Sequence, residues 1–414
     1  MLFTKDLKTH TTDIFVNRIL PLYLLCLIIV CAPIKADDHL PLSLLKESKH
    51  SLAQAHTFLM LQQQKNGSWC DSAPITAMVL YSIVLDPQSN FYINDNKTNQ
   101  SVEAGFNFLK GFVQKNGGIY KKEYRNYITA VCLMAFAQTR DPKYKDIVKN
   151  AHDFLVKFQL DEGEGFNKNH KFYGGIGYGG DTRPDLSNTQ MALDAIHEAE
   201  LYMQSFKTIL PSKKEMQKEE KELGLHWQKA LIFLNRCQNT KYNKMDYATN
   251  DGGFRYETGT YKAERSRSYG SMTYAGVKSL VYANLHTPEM TEKVQKAFDW
   301  IQKHYTWERN PKLEDPKFKK NPKAGNSALY YYYMTASKAL DAMKIETIQT
   351  PDKQKHKWRP ELITKLISIQ KADGHWINEN GRFWENIPEL TTAYAVIAQK
   401  FALATEFKLS TQEP

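Results

Sequence analysis

A recurring pattern of two apolar helical stretches around a short loop constrains the fold of this 414-residue chain more than any other feature. In each copy the first stretch ends near a glutamine, and a glycine and an aromatic residue follow. The clearest copy is LITKLISIQKADGHW, which ends at Trp376 and leads into TTAYAVIAQKFAL. Six copies of the helix pair occur, although the fifth lacks a clear glycine-aromatic loop. The first helix and its loop end at Trp69, Tyr120, Phe166, Phe254, Tyr305 and Trp376.

The spacing of apolar residues within each copy predicts helices. Between Met191 and Ala199, for example, apolar residues recur every three to four positions and form one stripe. No segment alternates with period two, so we expect almost no β-sheet. One helix pair cannot bury its apolar face alone, whereas stacked pairs can. The prediction is an all-α protein of about twelve helices, with turns at Gly67, Gly118, Gly165, Gly253 and Gly374.

The glutamine-glycine-tryptophan motif, from Gln370 to Trp376, resembles the repeat of squalene cyclases and other class II terpene cyclases. The β subunits of protein prenyltransferases share that repeat. The resemblance covers roughly residues 48 to 405. It implies a single α6/α6 toroid, in which six inner and six outer helices surround a central cavity. In such a toroid the N-termini of the inner helices meet at one mouth of the cavity.

The N-terminus predicts targeting rather than fold. Basic residues precede an apolar run from Ile19 to Cys31, which is short for a membrane span, and small residues precede Asp37. We interpret residues 1–36 as a secretory signal peptide and residues 37–414 as the toroid domain. The protein is then expected to be secreted or periplasmic. The alternative is an uncleaved membrane anchor.

The charge of the chain bears on its partners. A formal net charge of +10 favours contact with anionic surfaces, including peripheral association with a membrane. No nucleic-acid-binding motif accompanies this charge, and a secreted protein is not expected to meet nucleic acid. We expect the partner to be a hydrophobic small molecule or a glycan. The oligomeric state stays open.

The resemblance directs attention to DLSNT, residues 185–189. Class II terpene cyclases protonate an alkene or epoxide with the middle acid of a D-x-D-D-T-A motif at an inner-helix start. Here Asp185 and the threonine match that motif, but Ser187 and Asn188 stand where the proton donor and its partner belong. Serine cannot protonate an alkene at a useful rate. Asp185 and the nearby Asp181 are therefore the candidate catalytic carboxylates, and cyclase chemistry is doubtful.

Two features of this segment suggest other roles. Ser187 and Gln190 match the S-x-x-Q capping box, so the helix is predicted to start at Ser187. The dipole of that helix favours an ionised carboxylate at Asp185. We therefore expect Asp185 to accept hydrogen bonds rather than to donate a proton.

Candidate ligand-binding residues cluster in and after the glycine-rich stretch FYGGIGYGGDTR, residues 172–183. Its many glycines allow the backbone to approach a ligand closely, and its tyrosines offer flat faces. Arginines of the segment 251–271 are suited to clamp an anionic group. The alternatives are helix capping, surface ion pairs and plain packing. The candidates are Tyr173, Tyr178, Arg183, Asn188, Arg255, Arg267, Tyr269, Tyr330 and Trp384.

The sequence predicts neither a metal nor a cofactor. The prenyltransferase resemblance would imply a zinc ion held by an aspartate and a cysteine two residues apart, together with a histidine. The comparable segment, RSRSYGSMTYAG at 265–276, contains neither aspartate nor cysteine. The glycine-rich stretch lacks the G-K-[ST] of a phosphate-binding loop.

Three classes of function remain open at this point. The first is a toroid that binds an isoprenoid-like or glycan ligand without catalysis, which we favour. The second is an active terpene cyclase-like enzyme. The third is a glycan hydrolase or lyase, which requires two carboxylates facing one cleft. Asp181 with Asp185 or Asp251 is the pair available for that chemistry.

Overall fold

The computed structural model describes residues 40–85, 95–180, 183–206, 213–259, 267–284, 291–313 and 324–410. The proposed signal peptide and Asp181 lie outside these residues.

The described residues form an all-α protein, as the apolar spacing predicts. A short antiparallel hairpin, β1 (Thr347–Gln349) and β2 (Lys355–Lys357), is the sheet found in these ranges. The twelve helices described are α1 (Leu42–Gln62), α2 (Ala73–Val84), α3 (Asn96–Lys110), α4 (Arg125–Gln138), α5 (Lys145–Lys157), α6 (Leu186–Ser205), α7 (Lys213–Cys237), α8 (Gly270–Asn284), α9 (Thr291–His304), α10 (Leu329–Ala342), α11 (Trp358–Ile369) and α12 (Pro388–Ser410).

The even-numbered helices form the centre of the described fold. They contact one another in the order α2, α4, α6, α8, α10, α12, and α12 contacts α2 again. Each odd-numbered helix packs against one or two of them. The even-numbered helices are therefore the inner helices of the described fold, and the odd-numbered helices are the outer ones. Burial agrees with this order, since ten of the twelve residues of α2 are buried but four of the fifteen of α3. Each odd-numbered helix and the even-numbered helix that follows it form one repeat.

Glutamine side chains join neighbouring repeats. Gln63, just after α1, donates from Nε2 to the carbonyl of Gly67 at 2.9 Å and to that of Ser101 in α3 at 2.7 Å. The second bond links the first repeat to the second. Three other glutamines make the equivalent bonds to the next outer helix, and the last of them joins the sixth repeat to the first. In the next outer helix the accepting backbone carbonyls are those of His226 for Gln159, Lys293 for Gln238 and Ser51 for Gln370.

The backbone conformation and close surroundings of the loop glycine explain why the motif requires glycine at this position. Gly67 has a φ of +84°, and a Cβ there would overlap the carbonyl of Ala104 in the next outer helix. A side chain would therefore clash with backbone as well as strain the turn. In the second and fourth repeats the glycine with positive φ is Gly117 and Gly252, one position before the predicted Gly118 and Gly253.

The third repeat uses a different loop from the predicted one. The sequence pattern assigned it to Gly165 and Phe166, but a Cβ at Gly165 would meet no neighbouring atom. Instead Gln159 donates to the carbonyl of Gly174 at 3.0 Å, and a Cβ at Gly174 would overlap the carbonyl of Lys229 in α7. Part of the glycine-rich stretch is thus the repeat loop itself.

A threonine in the first turns of the inner helix completes the loop. Thr189 accepts the backbone N–H of Ile176 at 3.0 Å and donates to the carbonyl of the same residue at 3.1 Å. The threonine shared with the cyclase motif is therefore a fold residue in this chain. Equivalent bonds run from the backbone N–H of Trp69, Ile119, Phe254 and Trp376 to Thr76, Thr129, Thr273 and Thr392.

A buried charge network links four inner helices. Asp194 in α6 accepts hydrogen bonds from Lys278 in α8 at 2.6 Å and from Lys338 in α10 at 2.8 Å. Lys338 also donates to the hydroxyl of Tyr81 in α2 at 3.3 Å. Burial acts to raise the pKa of Asp194, but the two lysines outweigh it and lower that pKa to about 2. The carboxylate therefore stays ionised inside the protein.

No helix within the described ranges combines the length and the apolar character needed to cross a lipid bilayer.

Candidate functional site

A cavity of about 390 Å³ lies at the N-terminal ends of the inner helices. Its volume is within the range of small-molecule sites. All six inner helices contribute to its wall, most of them through their first turn. The contributing residues are Pro74 in α2, Tyr127 in α4, Asn188 in α6, Met272 in α8, Tyr331 in α10 and Tyr394 in α12.

Aromatic side chains dominate the cavity wall. Tyr124 and Tyr178 pack edge to face with ring centroids 5.3 Å apart, a favourable aromatic geometry. Among the described lining residues there is no lysine, arginine or histidine. The wall therefore suits an apolar ligand better than an anionic one. Its aromatic members are Tyr124, Tyr127, Tyr178, Tyr256, Tyr269, Tyr331, Phe383, Trp384 and Tyr394.

Four of these aromatic residues form an exposed rim: Tyr124, Tyr178, Phe383 and Trp384. The side chains of Phe383 and Trp384 are 55% and 58% exposed. Both residues have left-handed backbone, with φ of +64° and +62°. That conformation costs a non-glycine residue about 1–3 kcal/mol. The turn thus holds two large rings at the entrance against both a backbone and a solvation cost.

Asp185 begins helix α6. Its carboxylate accepts the backbone N–H of Asn188 at 2.9 Å, the Ser187 hydroxyl at 2.6 Å and Nδ2 of Asn188 at 2.6 Å. Asp185 is therefore the N-cap, and the predicted cap at Ser187 is wrong by two residues. Gln190, the other half of the predicted capping box, instead accepts a hydrogen bond from the hydroxyl of Tyr331 at 2.8 Å.

The direction of the pKa shift at Asp185 also differs from expectation. Burial raises the pKa of this carboxyl, although hydrogen bonds from Ser187 and Asn188 oppose the rise. The expectation from the helix dipole was wrong in direction because loss of solvation outweighs the dipole at this buried position. Asp185 itself does not line the cavity, whereas Ser187 and Asn188 do. Asp185 therefore contributes to the cavity by hydrogen bonding to Ser187 and Asn188, which line it.

Four of the candidate ligand-binding residues lie together on the cavity wall: Tyr178, Asn188, Tyr269 and Trp384. A fifth candidate, Tyr330, does not. Its ring is buried, and its hydroxyl lies 3.5 Å from a backbone carbonyl in the loop before α12. Of the four consecutive tyrosines, Tyr331 faces the cavity.

Two further candidates are buried structural residues. The Tyr173 ring is fully buried, and its hydroxyl donates to Glu162 at 3.0 Å. Arg255 is also fully buried, with its guanidinium 3.9 Å from the ring centroid of Tyr247. It donates to the carbonyl of Glu257 at 2.8 Å. Neither residue lines the cavity, so their positions do not favour a role in ligand binding.

The remaining arginines also lie off the wall. Arg183 donates from Nε to the buried carboxylate of Glu257 at 3.0 Å, which ties the start of α6 to the loop before α8. Arg267 is exposed and is not a lining residue. The described arginines therefore do not form the predicted clamp for an anionic ligand at this cavity, and Arg265 of the same segment lies outside the described residues.

Glu385 is a lining residue that the sequence patterns did not single out. It is fully buried, and it accepts the backbone N–H groups of Leu329 and Tyr331, each at 2.8 Å, and Nδ2 of Asn378 at 2.6 Å. It thereby caps α10, whose own N-cap, Ala328, has no side chain to do so. Burial raises the pKa of Glu385 to about 7.

In the part of the chain that the structure describes, no three histidine, cysteine, aspartate or glutamate residues are grouped so that they could hold a metal ion.

Comparison with known proteins gives limited similarity. No protein-family model matches the chain, and no curated protein matches it. A variant of type II terpene cyclase MstE from Scytonema is 11% identical with a TM-score of 0.48, over 88% of this chain and 99% of that one. MstE itself is 10% identical with a TM-score of 0.46, over 87% and 99%. A protein from Actinoplanes is 11% identical with a TM-score of 0.44, over 86% and 99%. No residue role or activity carries over at these values.

Proposed function

We propose that this chain is an α6/α6 toroid that binds an apolar, isoprenoid-like ligand at the N-terminal ends of its inner helices. The observation that carries the proposal is the cavity of about 390 Å³ lined by nine aromatic residues. The cyclic order of inner-helix contacts supports the toroid. The aromatic wall supports the apolar ligand, because such rings bury large apolar area in a defined geometry.

Location and membrane contact belong to the same proposal. We infer from the sequence that residues 1–36 are a signal peptide and that the mature protein is secreted or periplasmic. The exposed rim of Tyr124, Tyr178, Phe383 and Trp384 supports peripheral contact with a membrane, since tyrosine and tryptophan favour the bilayer interface. The net charge, +10 for the full chain and +8 without residues 1–36, favours an anionic surface.

Binding is tested with the neutral fluorescent probe N-phenylnaphthylamine, displaced by a linear isoprenoid alcohol. We expect saturable binding that weakens at least about tenfold in Tyr127→Ala and Tyr394→Ala, since each change removes a large aromatic ring from the wall. Tyr242→Ala is the matched control, because Tyr242 is exposed and is not a lining residue. Absence of saturable binding, or preferential binding of an oligosaccharide, would contradict the proposal.

A second candidate function is acid-catalysed cyclisation, and one observation favours it. Glu385 lines the cavity with a pKa of about 7, so a substantial fraction of its carboxyl is protonated near neutral pH. The same pKa also argues against this function, because such a carboxyl group is too weak an acid to protonate an alkene readily. Glycan hydrolysis has less support, because Glu385 is the single acid among the described lining residues.

The two candidates separate when squalene or a linear isoprenoid is supplied and products are analysed. We expect no cyclised product from wild type, Asp185→Asn or Glu385→Gln. Robust product from wild type that disappears in either variant would establish the cyclase and reject a binding-only role.

A further inference from the structure

One polar atom in the cavity wall lacks a hydrogen-bond partner among the described residues. Asn188 is 4% exposed and lines the cavity, and its Oδ1 atom is buried without a donor. An unmet buried acceptor is costly, so native structures normally provide a partner from protein, water or ligand. This atom is therefore a point at which a ligand donor would be favoured.

The surrounding hydrogen bonds fix the orientation of this amide. Nδ2 of Asn188 donates to Oδ2 of Asp185 at 2.6 Å. The other oxygen of Asp185 is held by the backbone N–H of Asn188 and the hydroxyl of Ser187. The Asn188 side chain is thus held at both the backbone and the amide nitrogen. Its Oδ1 atom has no such bond to a described residue.

Hydroxyl groups lie beside the same position. Tyr178 and Tyr256 line the cavity, and the Tyr256 hydroxyl lies 3.5 Å from the Ser187 hydroxyl. Burial raises the pKa of Tyr178, and a hydrogen bond with the Asn188 side chain opposes this rise. A small polar area within an otherwise aromatic wall is suited to one hydroxyl-sized head group.

We propose that Asn188 is the head-group subsite of the cavity and that the ligand is a neutral apolar alcohol. Its hydroxyl donates to Oδ1 of Asn188 and accepts from a neighbouring tyrosine hydroxyl. This inference rests on the proposed apolar-binding function and narrows its ligand class. Neither an anionic nor a cationic head group fits as well. The described wall offers no basic side chain to an anion, and Glu385 already accepts three hydrogen bonds.

The test compares decanol, 2-decanone and decane as displacers of N-phenylnaphthylamine. For the wild-type protein we expect decanol to bind about tenfold more tightly than decane or the ketone, because neither of the latter donates a hydrogen bond. In Asn188→Leu the three affinities are expected to converge. Decane should still bind that variant, which shows that the cavity is intact. Asn188→Ala should give the same loss of preference with a smaller side chain.

The control is Asn107→Leu, the same substitution at an exposed position of α3. It should retain the preference for decanol. Equal affinities of wild type for decanol and decane would overturn the inference, and so would a preference that survives in Asn188→Leu. If none of the three compounds displaces the probe from wild type, the apolar-binding function itself is rejected. In that case the inference that depends on it is rejected as well.

Discussion

At the scale of single residues, Glu385 combines a structural role with an unusual ionisation. Its carboxylate caps α10 and also forms part of the cavity wall. A buried carboxylate with three donors is satisfied when ionised, yet the loss of solvation still raises its pKa to about 7 from a usual 4.5. The protonation of this group therefore connects the electrostatics of the cavity to the stability of the fold.

A pH dependence of unfolding follows from that pKa. The pKa of Glu385 is raised in the folded state. Its contribution to the free energy of unfolding is therefore fully present below about pH 4.5 and is lost as pH rises through about 7. The loss amounts to roughly 3 kcal/mol. We expect Glu385→Gln to remove this part of the pH dependence of the free energy of unfolding in urea. Equal pH slopes for wild type and variant would contradict the expectation.

At the residue scale, the sequence pointed to cavity-lining residues where position follows from the local chain, and it missed those whose partner is distant in sequence. Asn188 and Tyr178 were found because they surround an inner-helix start. Glu385 was missed because it caps a helix that begins more than fifty residues earlier. Tyr330 was preferred over Tyr331 because four consecutive tyrosines cover all sides of a helix, and the sequence does not fix how the helix is rotated.

At the scale of elements, apolar spacing was sufficient to predict twelve helices, but the loop motif was not sufficient to place every turn. Gly165–Phe166 and Gly174–Gly175 both fit the pattern of glycine after an apolar helix. The choice depends on which glycine meets the neighbouring outer helix, and that contact is invisible in sequence. The structure selects Gly174, which lies against Lys229.

A matched pair of substitutions tests that assignment. Gly174 and Gly165 have nearly the same φ, +83° and +82°, but only at Gly174 would a Cβ overlap a neighbouring backbone atom. We expect Gly165→Ala to lower the free energy of unfolding by about 1–2 kcal/mol through backbone strain alone. Gly174→Ala should cost more than about 4 kcal/mol or prevent folding. Urea unfolding midpoints measure both, and similar losses would refute the loop assignment.

At the scale of the whole molecule, one carboxylate holds together elements far apart in sequence. Asp194 and its two lysines connect α6, α8 and α10, and Lys338 extends the network to α2. The three charged groups are buried in the centre of the described fold. Their arrangement does not follow from the sequence, because the apolar spacing of each helix does not indicate which charged side chains of separate helices meet.

Removing one member of this network should be far more costly than removing all of its charges. Asp194→Ala leaves two buried lysines without their carboxylate, and we expect a loss of about 3–5 kcal/mol in the free energy of unfolding. A triple variant, Asp194→Leu, Lys278→Met and Lys338→Met, should recover most of that loss, because no charge remains unpaired. A triple variant less stable than Asp194→Ala would show that the ionic network itself stabilises the centre.

The bond from Gln370 to Ser51 has a consequence for how the number of repeats can change. Open repeat proteins end in special units with a polar outer face, so an internal unit can be duplicated or lost while both ends keep their caps. Here the sixth repeat meets the first through the same kind of glutamine and glycine contact that joins the first to the second, the third to the fourth and the fourth to the fifth. In the proposed toroid, deleting one helix pair would leave five units bent for a circle of six, and every junction would have to change its angle at once. Gain or loss of a single repeat is therefore a change of the entire architecture rather than a change of length.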